Sequence, residues 1–179
     1  MFYSAYYDSP IGKLLQASDG ENLTGLWIEK QKYYADTAPK DIQEKPDLPV
    51  FAQTRQWLDE YFQGKQPPIS ELPLAPIGGE FRQAVWKILC KIPYGKVMSY
   101  GEIAKKIARL RGQNGMSAQA VGGAVGRNPI SIIIPCHRVV GTNGSLTGYA
   151  GGLDTKIKLL KFEGVDMTSL FRPTKGTAL

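Results

Sequence analysis

The sequence predicts an α+β protein in which an N-terminal β-meander and helix precede a mostly helical C-terminal domain. The first observation is that short apolar runs separated by turn residues fill the N-terminal part of the chain. The second is that apolar residues beyond position 80 recur at helical spacing. The third is the Pro- and Gly-rich stretch Gln66–Gly79, which is typical of a linker. We therefore expect a structural domain over 1–76, a second domain over 77–168 and a loose tail over 169–179.

Three strands are expected at the start of the chain, because each apolar run is bounded by residues that favour turns. The turns are Asp8–Gly12, which contains Pro10, and Asp19–Gly20. The predicted strands cover residues 2–7, 13–18 and 23–29. No element is assigned to the polar residues 31–48. A helix follows over Pro49–Phe62, with Gly64 closing it.

The second half contains four expected helices with clear boundary signals. Phe81–Leu89 is amphipathic and ends before Pro93. Ser99 and Glu102 form a Ser-x-x-Glu capping box, which opens a helix through about Ile107. The last two helices are one that Ser117 caps and that runs to about Gly126, and one over Asp154–Phe162 with Gly164 at its end.

Charge is distributed unevenly between the two predicted domains. Residues 1–76 carry 7 Lys/Arg against 11 Asp/Glu, whereas residues 77–179 carry 15 against 5. Several of these basic residues lie in and around the two helices that flank the turn at 112–116: Lys105, Lys106, Arg109, Arg111 and Arg127. A basic helix-turn-helix in a basic domain favours DNA as the partner of the C-terminal half. The alternative is that these are ordinary solvated surface charges and an ordinary helical hairpin.

The second helix of this pair is unusual because nearly all its residues are small: Ser117, Ala118, Ala120, Gly122, Gly123 and Ala124. Glycine inside a helix costs about 1 kcal/mol relative to alanine, so two adjacent glycines need a reason. One reason is close packing against another helix. The other is entry into a narrow DNA minor groove, about 6 Å wide.

The sole histidine lies beside one of the two cysteines, at Cys136-His137. The β-branched run Ile130–Ile134 predicts a short buried strand, which Pro135 ends because it has no backbone N–H. A thiol at that point is held firmly, but it needs a base or a positive environment to become a nucleophile. Adjacent side chains on an extended chain point to opposite sides, so His137 is expected to act through a water or a third group. The alternative is a buried structural cysteine beside a hydrogen-bonded histidine.

Composition excludes several other classes of protein. No apolar run approaches the 18 residues of a membrane span, and the N-terminus lacks the features of a signal peptide. Two cysteines do not make a disulfide framework, which favours a reducing cytoplasm. One histidine and two cysteines cannot fill a four-ligand zinc site, and no phosphate-binding glycine motif is present. We therefore expect no metal and no membrane partner.

The sequence resembles the O6-alkylguanine-DNA alkyltransferases, also called methylated-DNA–protein-cysteine methyltransferases. The resemblance covers about residues 79 to 166, and the first 75 residues resemble the family only loosely. Its central motif is Pro135-Cys136-His137-Arg138-Val139. The other motifs follow in order: Phe81-Arg82-Gln83-Ala84-Val85-Trp86, Gly95-Lys96-Val97, Ser99-Tyr100, Ala120-Val121-Gly122-Gly123-Ala124, Asn143-Gly144, Tyr149-Ala150-Gly151-Gly152-Leu153, Leu159-Leu160 and Glu163-Gly164.

The resemblance implies irreversible transfer of a methyl or larger alkyl group from guanine O6, and possibly from thymine O4, to Cys136. His137 would be a water-mediated base oriented by Glu163. Tyr100 would donate its hydroxyl to the leaving base, and Asn128 would tie the Cys136 loop to the small-residue helix. Residues that would bind the base are Val139, Tyr149, Ser131 and Gly151. Residues that would contact DNA are Gln119, Ser117, Ala118, Ala120, Gly122, Arg127 and Arg138.

The implied partner is double-stranded DNA containing O6-alkylguanine, bound by a monomer through the minor groove, with the damaged base flipped into the pocket. No cofactor follows, because the damaged DNA supplies the alkyl group. The chain departs from the family pattern at Gln119, where most members have an arginine. It departs again at Ser131, where some members have a proline that helps to bind bulky adducts.

Two other functions fit parts of the sequence. A cysteine hydrolase using Cys136 and His137 would turn over many times and would need neither the helix-turn-helix nor the basic domain. A non-catalytic DNA-damage-binding protein of the same fold would explain the basic domain, but such relatives lack the acceptor cysteine.

Overall fold

The computed structural model describes residues 1–174, which fall into two compact units. One unit contains Met1–Ile77 together with the short segment Pro129–Ile133, and the other contains Gly78–Asn128 and the chain from Ile134 onward. The architecture is mixed, with the larger sheet in the first unit and most of the helices in the second. The predicted fold class is therefore confirmed.

The first unit is built on a four-stranded sheet. Its strands are β1 (Tyr3–Ser9), β2 (Gly12–Ser18), β3 (Leu23–Ile28) and β4 (Gln43–Glu44). The order is β3-β2-β1-β4; the first three strands form the expected antiparallel meander, and β4 runs parallel to β1. All six residues of β3 are buried, because this sheet is covered on both faces.

The unassigned segment 31–48 covers part of this sheet. Its turns include two non-glycine residues with positive φ, Tyr33 at 60° and Ala35 at 55°. Three of its apolar residues pack against the cluster formed by Leu15, Ala17 and Trp27: Ala35, Ala38 and Ile42. Helix α1 follows over Pro49–Phe62 as expected, and Gly64 has the positive φ of a helix-closing glycine.

The Pro- and Gly-rich stretch 66–79 is more ordered than the expected linker. Leu72 is buried, and the segment after it pairs with β3. The Leu23 N–H donates to Pro73 O, and the Ala75 N–H donates to Leu23 O, both at 2.8 Å. Proline suits such an edge position, because only alternate residues of the segment need a donor.

The second unit contains α2 (Glu80–Leu89), α3 (Tyr100–Leu110), α4 (Ala118–Gly126) and α5 (Leu153–Phe162). Both halves of the predicted capping box are present, with the Glu102 N–H donating to Ser99 Oγ and the Ser99 N–H to Glu102 Oε2. Ser117 caps α4 by accepting from the Ala120 N–H at 3.3 Å. The Trp86 indole N–H donates to Ala124 O, which holds α4 against α2.

The strand predicted over Ile130–Ile134 is wrong, although every residue of the run is buried. Only Ile130 makes a bridge, to Leu26, and the chain then turns. The Ile133 N–H donates to Ser131 O at 2.8 Å around Ile132, whose φ is 70°. This is the geometry of a γ-turn, which is rare for a β-branched residue. A buried apolar run has the same composition whether it is straight or folded back on itself, so the sequence pattern did not separate the two.

The residues expected to form a loose tail are attached to the second unit as far as Arg172. The Phe171 N–H donates to Gly144 O, and the Leu146 N–H donates to Phe171 O. A Cβ at Gly144 would lie 2.1 Å from Ser169 O, so this position requires glycine for the close approach as well as for its φ of 91°. The remainder of the predicted tail, 175–179, lies outside the described residues. Within residues 1–174, no helix has the length and apolar character needed to cross a bilayer.

Candidate active site

Cys136 lies in a 3-10 turn over Cys136–Arg138, directly before the short strand β6 (Val139–Val140). Strand β6 runs parallel to β5 (Met98–Ser99), which leads into α3. The Cys136 N–H donates to Ile134 O around Pro135, whose φ of −82° and ψ of 64° form an inverse γ-turn. The pairing of β5 with β6 brings the start of α3, and therefore Tyr100, towards the cysteine.

The Cys136 thiol is buried, with 5% of the residue exposed. Burial raises its pKa, while a hydrogen bond from Asn128, the charge of Lys156 and the backbone N–H groups of Cys136 and His137 act in the opposite direction. The Asn128 side-chain amide also donates to Ile134 O at 2.8 Å, which ties the end of α4 to the segment that carries the thiol. These groups would all stabilise a thiolate once the proton has left.

His137 is completely buried and hydrogen-bonded to a carboxylate, with Nε2 lying 2.7 Å from Glu163 Oε1. Burial lowers the pKa of His137, and the hydrogen bond and charge of Glu163 oppose that shift. With Glu163 ionised, Nε2 donates and Nδ1 is left as the acceptor. Nδ1 has no hydrogen-bond partner within residues 1–174. The pair therefore presents a neutral imidazole with one nitrogen able to take a proton.

Arg138 was expected to contact DNA, and its position corrects that expectation. Its side chain is buried and binds Glu163 in a bidentate manner, with Nε 2.8 Å from Oε2 and Nη2 2.9 Å from Oε1. Nη1 donates to Ile92 O at 2.7 Å. Burial acts to raise the pKa of Glu163, but the hydrogen bonds from His137 and Arg138 outweigh it and lower the pKa to about 2. Arg138 thus fixes the carboxylate that holds His137.

Tyr100, the first residue of α3, places its hydroxyl beside the glycine-rich segment 141–152. The hydroxyl lies 3.2 Å from Thr147 O and 3.3 Å from Gly148 O. Burial and the neighbouring charge of Cys136 raise the pKa of Tyr100 to about 12. The phenol therefore stays protonated at neutral pH and acts as a hydrogen-bond donor.

The four residues expected to bind a base have different surroundings. Val139 O accepts from Lys156 Nζ. Tyr149 has a buried hydroxyl with no hydrogen-bond partner in the described chain, and its ring lies edge-on to His137 at 6.5 Å. Gly151 lies in the turn that precedes α5. Ser131 belongs to the first unit and donates to Gln31 Oε1, so its contacts do not support the expected role.

Lys156 is a residue that the sequence reasoning missed. It is 0% exposed, and its ammonium lies 2.5 Å from Val139 O and 2.9 Å from Thr147 O. Burial lowers the pKa of Lys156 to about 8, and the charge of Cys136 acts to raise it. A signal was available, because on α5 this lysine falls three and four residues before Leu159 and Leu160, on the apolar face.

The face of α4 that was expected to contact DNA is open to solvent. Ser117, Ala118, Gln119 and Ala120 are exposed, whereas Gly122 and Arg127 are half-buried. An open groove of about 550 Å³ lies between the start of α4 and α3. Its lining includes two basic side chains and several small or polar ones: Lys105, Arg109, Gln113, Asn114 and Ala118. Within residues 1–174, no three His, Cys, Asp or Glu side chains are grouped as metal ligands would be.

Two family models match the chain, and together they cover most of it. Residues 2–76 match the ribonuclease-like domain of 6-O-methylguanine DNA methyltransferase, and residues 80–165 match its DNA binding domain. The chain is 47% identical over 164 residues to the methylated-DNA–protein-cysteine methyltransferase of Haemophilus influenzae, covering 91% of this chain and 87% of that protein. It is 44% identical over 162 residues to the protein of the same name from Methanosarcina acetivorans, covering 90% and 98%.

Solved structures agree with these matches. The Mycobacterium tuberculosis O6-methylguanine methyltransferase superposes with a TM-score of 0.78 at 42% identity, covering 91% of this chain and 93% of that one. A structure described as M. tuberculosis OGT in complex with DNA gives a TM-score of 0.77 at 41% identity, covering 90% and 91%. On the evidence of its sequence, its fold and these relatives, the chain belongs to the 6-O-methylguanine DNA methyltransferase family.

Proposed function

We propose that this protein repairs DNA by transferring a methyl or other alkyl group from guanine O6 to Cys136, once per protein molecule. The observation that carries this proposal is a buried thiol that directly precedes a His137–Glu163 pair, in which Nδ1 of His137 can accept a proton. Burial opposes ionisation of the thiol, while Asn128 and Lys156 act to stabilise the thiolate. Relatives at 44–47% identity carry the name methylated-DNA–protein-cysteine methyltransferase, which supports the same reaction here.

The residues support a direct displacement at the alkyl carbon. The thiol proton passes through a water to His137 Nδ1, and Glu163 stabilises the imidazolium that forms. Cys136 Sγ then forms a bond to the alkyl carbon as the bond from that carbon to O6 breaks. The electron pair stays on guanine, which takes up the proton that the thiol released to His137, and the DNA is left with an undamaged base. The sulfur keeps the alkyl group as a thioether, so the protein acts once.

The base would be held by the segments on either side of Cys136. The Tyr100 hydroxyl would donate to the guanine as negative charge develops on it. Val139 O would accept from the edge of the base, while Tyr149 and Gly151 would cover the pocket. An atom on a stacked base cannot reach a protein thiol, so the damaged nucleotide must be flipped out of the duplex.

The small residues of α4 are explained by a partner outside the chain. A Cβ at Gly123 would meet nothing within 4 Å, and one at Gly122 would make only an ordinary contact with the Tyr100 ring, at 3.8 Å. Packing inside the protein therefore does not require glycine at either position. A helix surface this narrow suits the minor groove, and Ser117, Ala118 and Ala120 would lie against its walls.

We also propose that the protein acts as a monomer in a reducing cytoplasm. All the groups assigned to the reaction lie in one unit of one chain, so a single copy suffices for the chemistry. Cys136 must remain a free thiol to accept an alkyl group, and a reducing compartment keeps it so.

The proposed reaction is tested by its stoichiometry. Increasing amounts of duplex DNA with a labelled O6-methylguanine are mixed with a fixed amount of protein, and the label transferred to protein is measured. We expect a plateau at one methyl group per protein. Continued release of labelled product beyond that amount would identify a hydrolase instead, and DNA binding without any transfer would identify a damage-binding protein.

Gln119 is expected to support flipping by filling the space that the base leaves. We therefore expect Gln119→Ala to slow repair of duplex DNA more than it slows reaction with free O6-alkylguanine, which needs no flipping. Gln119→Arg should be neutral or faster on duplex DNA, because arginine has a longer reach and a charge. Second-order rates with both substrates for the three proteins provide the test. Equal effects on both substrates would assign residue 119 to general support of the pocket.

DNA binding is expected to depend on the basic groove between α3 and α4. Lys105→Glu combined with Arg109→Glu should weaken duplex binding at least about tenfold and flatten its salt dependence, because fewer phosphate counterions are released. Lys40→Glu, at an exposed position of the first unit, is the matched control and should have little effect. Binding isotherms at several salt concentrations measure both quantities. Equal losses in the two variants would remove the groove from the binding surface.

A further inference from the structure

Lys156 carries a buried positive charge to which the proposed reaction assigns no role. Its ammonium is fully buried, and within the described chain both of its hydrogen bonds go to backbone carbonyls, with no carboxylate paired to it. A buried charge without a counter-ion is strongly unfavourable. The other buried cation of this site, Arg138, has Glu163 as its counter-ion.

Cys136 presents the complementary problem. Its thiol is buried, and burial opposes ionisation, yet the proposed reaction needs the thiolate. The helix α5, which carries Lys156, packs against the turn that carries Cys136, and Lys156 binds the carbonyl of Val139 three residues further on. An ammonium has three donors, and two of the three are used here.

We propose that Lys156 and the Cys136 thiolate form a buried ion pair, so that Lys156 is a positioning residue that makes the thiol ionisable. The proposal rests on the proposed function for its biological purpose, but the pair itself is a property of the protein without DNA. The interaction between the two charges agrees with it, since each acts to stabilise the ionised form of the other. Lys156 also joins Val139 O to Thr147 O, which accepts from the Tyr100 hydroxyl as well.

Other ionisable groups face this pair and contribute to the electrostatic potential around it. They come from α3, from the Cys136 turn, from the glycine-rich segment and from the end of α5: Tyr100, His137, Arg138, Tyr149 and Glu163. His137 is held neutral by burial, and the positive charge of Arg138 is balanced by Glu163. Among these groups of the described chain, Lys156 is consequently the cation that is left to balance a thiolate.

The first test measures the ionisation of Cys136 in the absence of DNA. Alkylation by iodoacetamide is followed against pH in a Cys90→Ser background, so that Cys136 is the reacting thiol. We expect Lys156→Met to raise the pKa of Cys136 by at least about one unit, which is a tenfold loss of reactivity at neutral pH. Lys156→Arg should retain most of the reactivity. Lys161→Met, at an exposed position of the same helix, is the matched control and should behave as wild type.

The second test uses the unsubstituted protein and does not depend on any variant folding. The pKa of the Lys156 ammonium is measured by NMR before and after Cys136 is capped with methyl methanethiosulfonate. An ion pair requires this pKa to fall when the thiolate is removed, because linkage between two sites is reciprocal. An unchanged pKa, or a folded Lys156→Met protein with unaltered thiol reactivity, would overturn the proposal. Failure of methyl transfer from DNA would instead count against the proposed function and leave the ion pair standing.

Discussion

Replacement of Cys136 by alanine is expected to abolish alkyl transfer and to leave DNA binding intact. The reaction needs a nucleophile that keeps the alkyl group, and the second cysteine cannot substitute for it. Cys90 is half-buried and has its pKa raised by burial, with only the charge of Arg138 opposing that shift. It lacks the histidine–carboxylate pair that lies beside Cys136. Transfer should fall to the uncatalysed background, measured with labelled O6-methylguanine DNA under single-turnover conditions.

Binding of duplex DNA by the same variant serves as the control. The groove and the exposed face of α4 contain neither cysteine, so the affinity should be close to that of the unsubstituted protein. Cys90→Ser is the matched substitution and should transfer at the normal rate. Retained transfer in Cys136→Ala, or its loss in Cys90→Ser, would show that the acceptor has been assigned to the wrong residue.

Replacement of His137 by glutamine is expected to slow transfer by about 10²–10⁴-fold, the usual contribution of a positioned base. Glutamine keeps an amide that can donate to Glu163, but it offers no nitrogen that takes a proton near neutral pH. The base works only when it is neutral, and burial lowers the pKa of His137 below its ordinary 6.5. In the unsubstituted protein the rate should therefore persist below pH 6.5 and fall as the pH drops through the lowered pKa.

The pH–rate profile separates the loss of the base from a loss of structure. In His137→Gln the rate should rise with pH as hydroxide ionises the thiol directly, without the limb assigned to histidine. A thermal unfolding curve and the DNA affinity establish that the variant is folded. A profile of unchanged shape, displaced only to lower rates, would show that His137 has a structural role and that another group takes the proton.

Much of the fold was predictable because its signals are local. The capping box at Ser99 and Glu102, the turn at Pro10 and the glycine after α1 each fix a boundary through chemistry within four residues. The run Ile130–Ile134 was predicted to be a strand because it is apolar. An apolar run indicates that the segment is buried, but it does not indicate whether the backbone is extended or turns. Its path depends on a long-range hydrogen bond, in which the Ser131 N–H of the run donates to Leu26 O of β3.

The residues of the active site could be predicted from the sequence only where they belong to a family motif. Cys136, His137 and Glu163 were singled out together, and the structure joins the last two directly. Arg138 was assigned to DNA with the other residues that the resemblance implied, whereas in the structure it is buried and paired with Glu163, 25 residues further along the chain. Lys156 was overlooked because a lysine in a helix is usually solvated, and only its position on the apolar face of α5 indicates otherwise.

The proposed reaction leaves the alkyl group of the damaged base on Cys136. It is tested most directly by incubating the protein with duplex DNA containing one O6-methylguanine, digesting it and locating the added mass by peptide mapping. We expect one methyl group per protein, on the peptide that contains Pro135-Cys136-His137, and unmodified guanine in the DNA. A methyl group on Cys90 or on any other residue, or demethylated DNA with an unmodified protein, would contradict it.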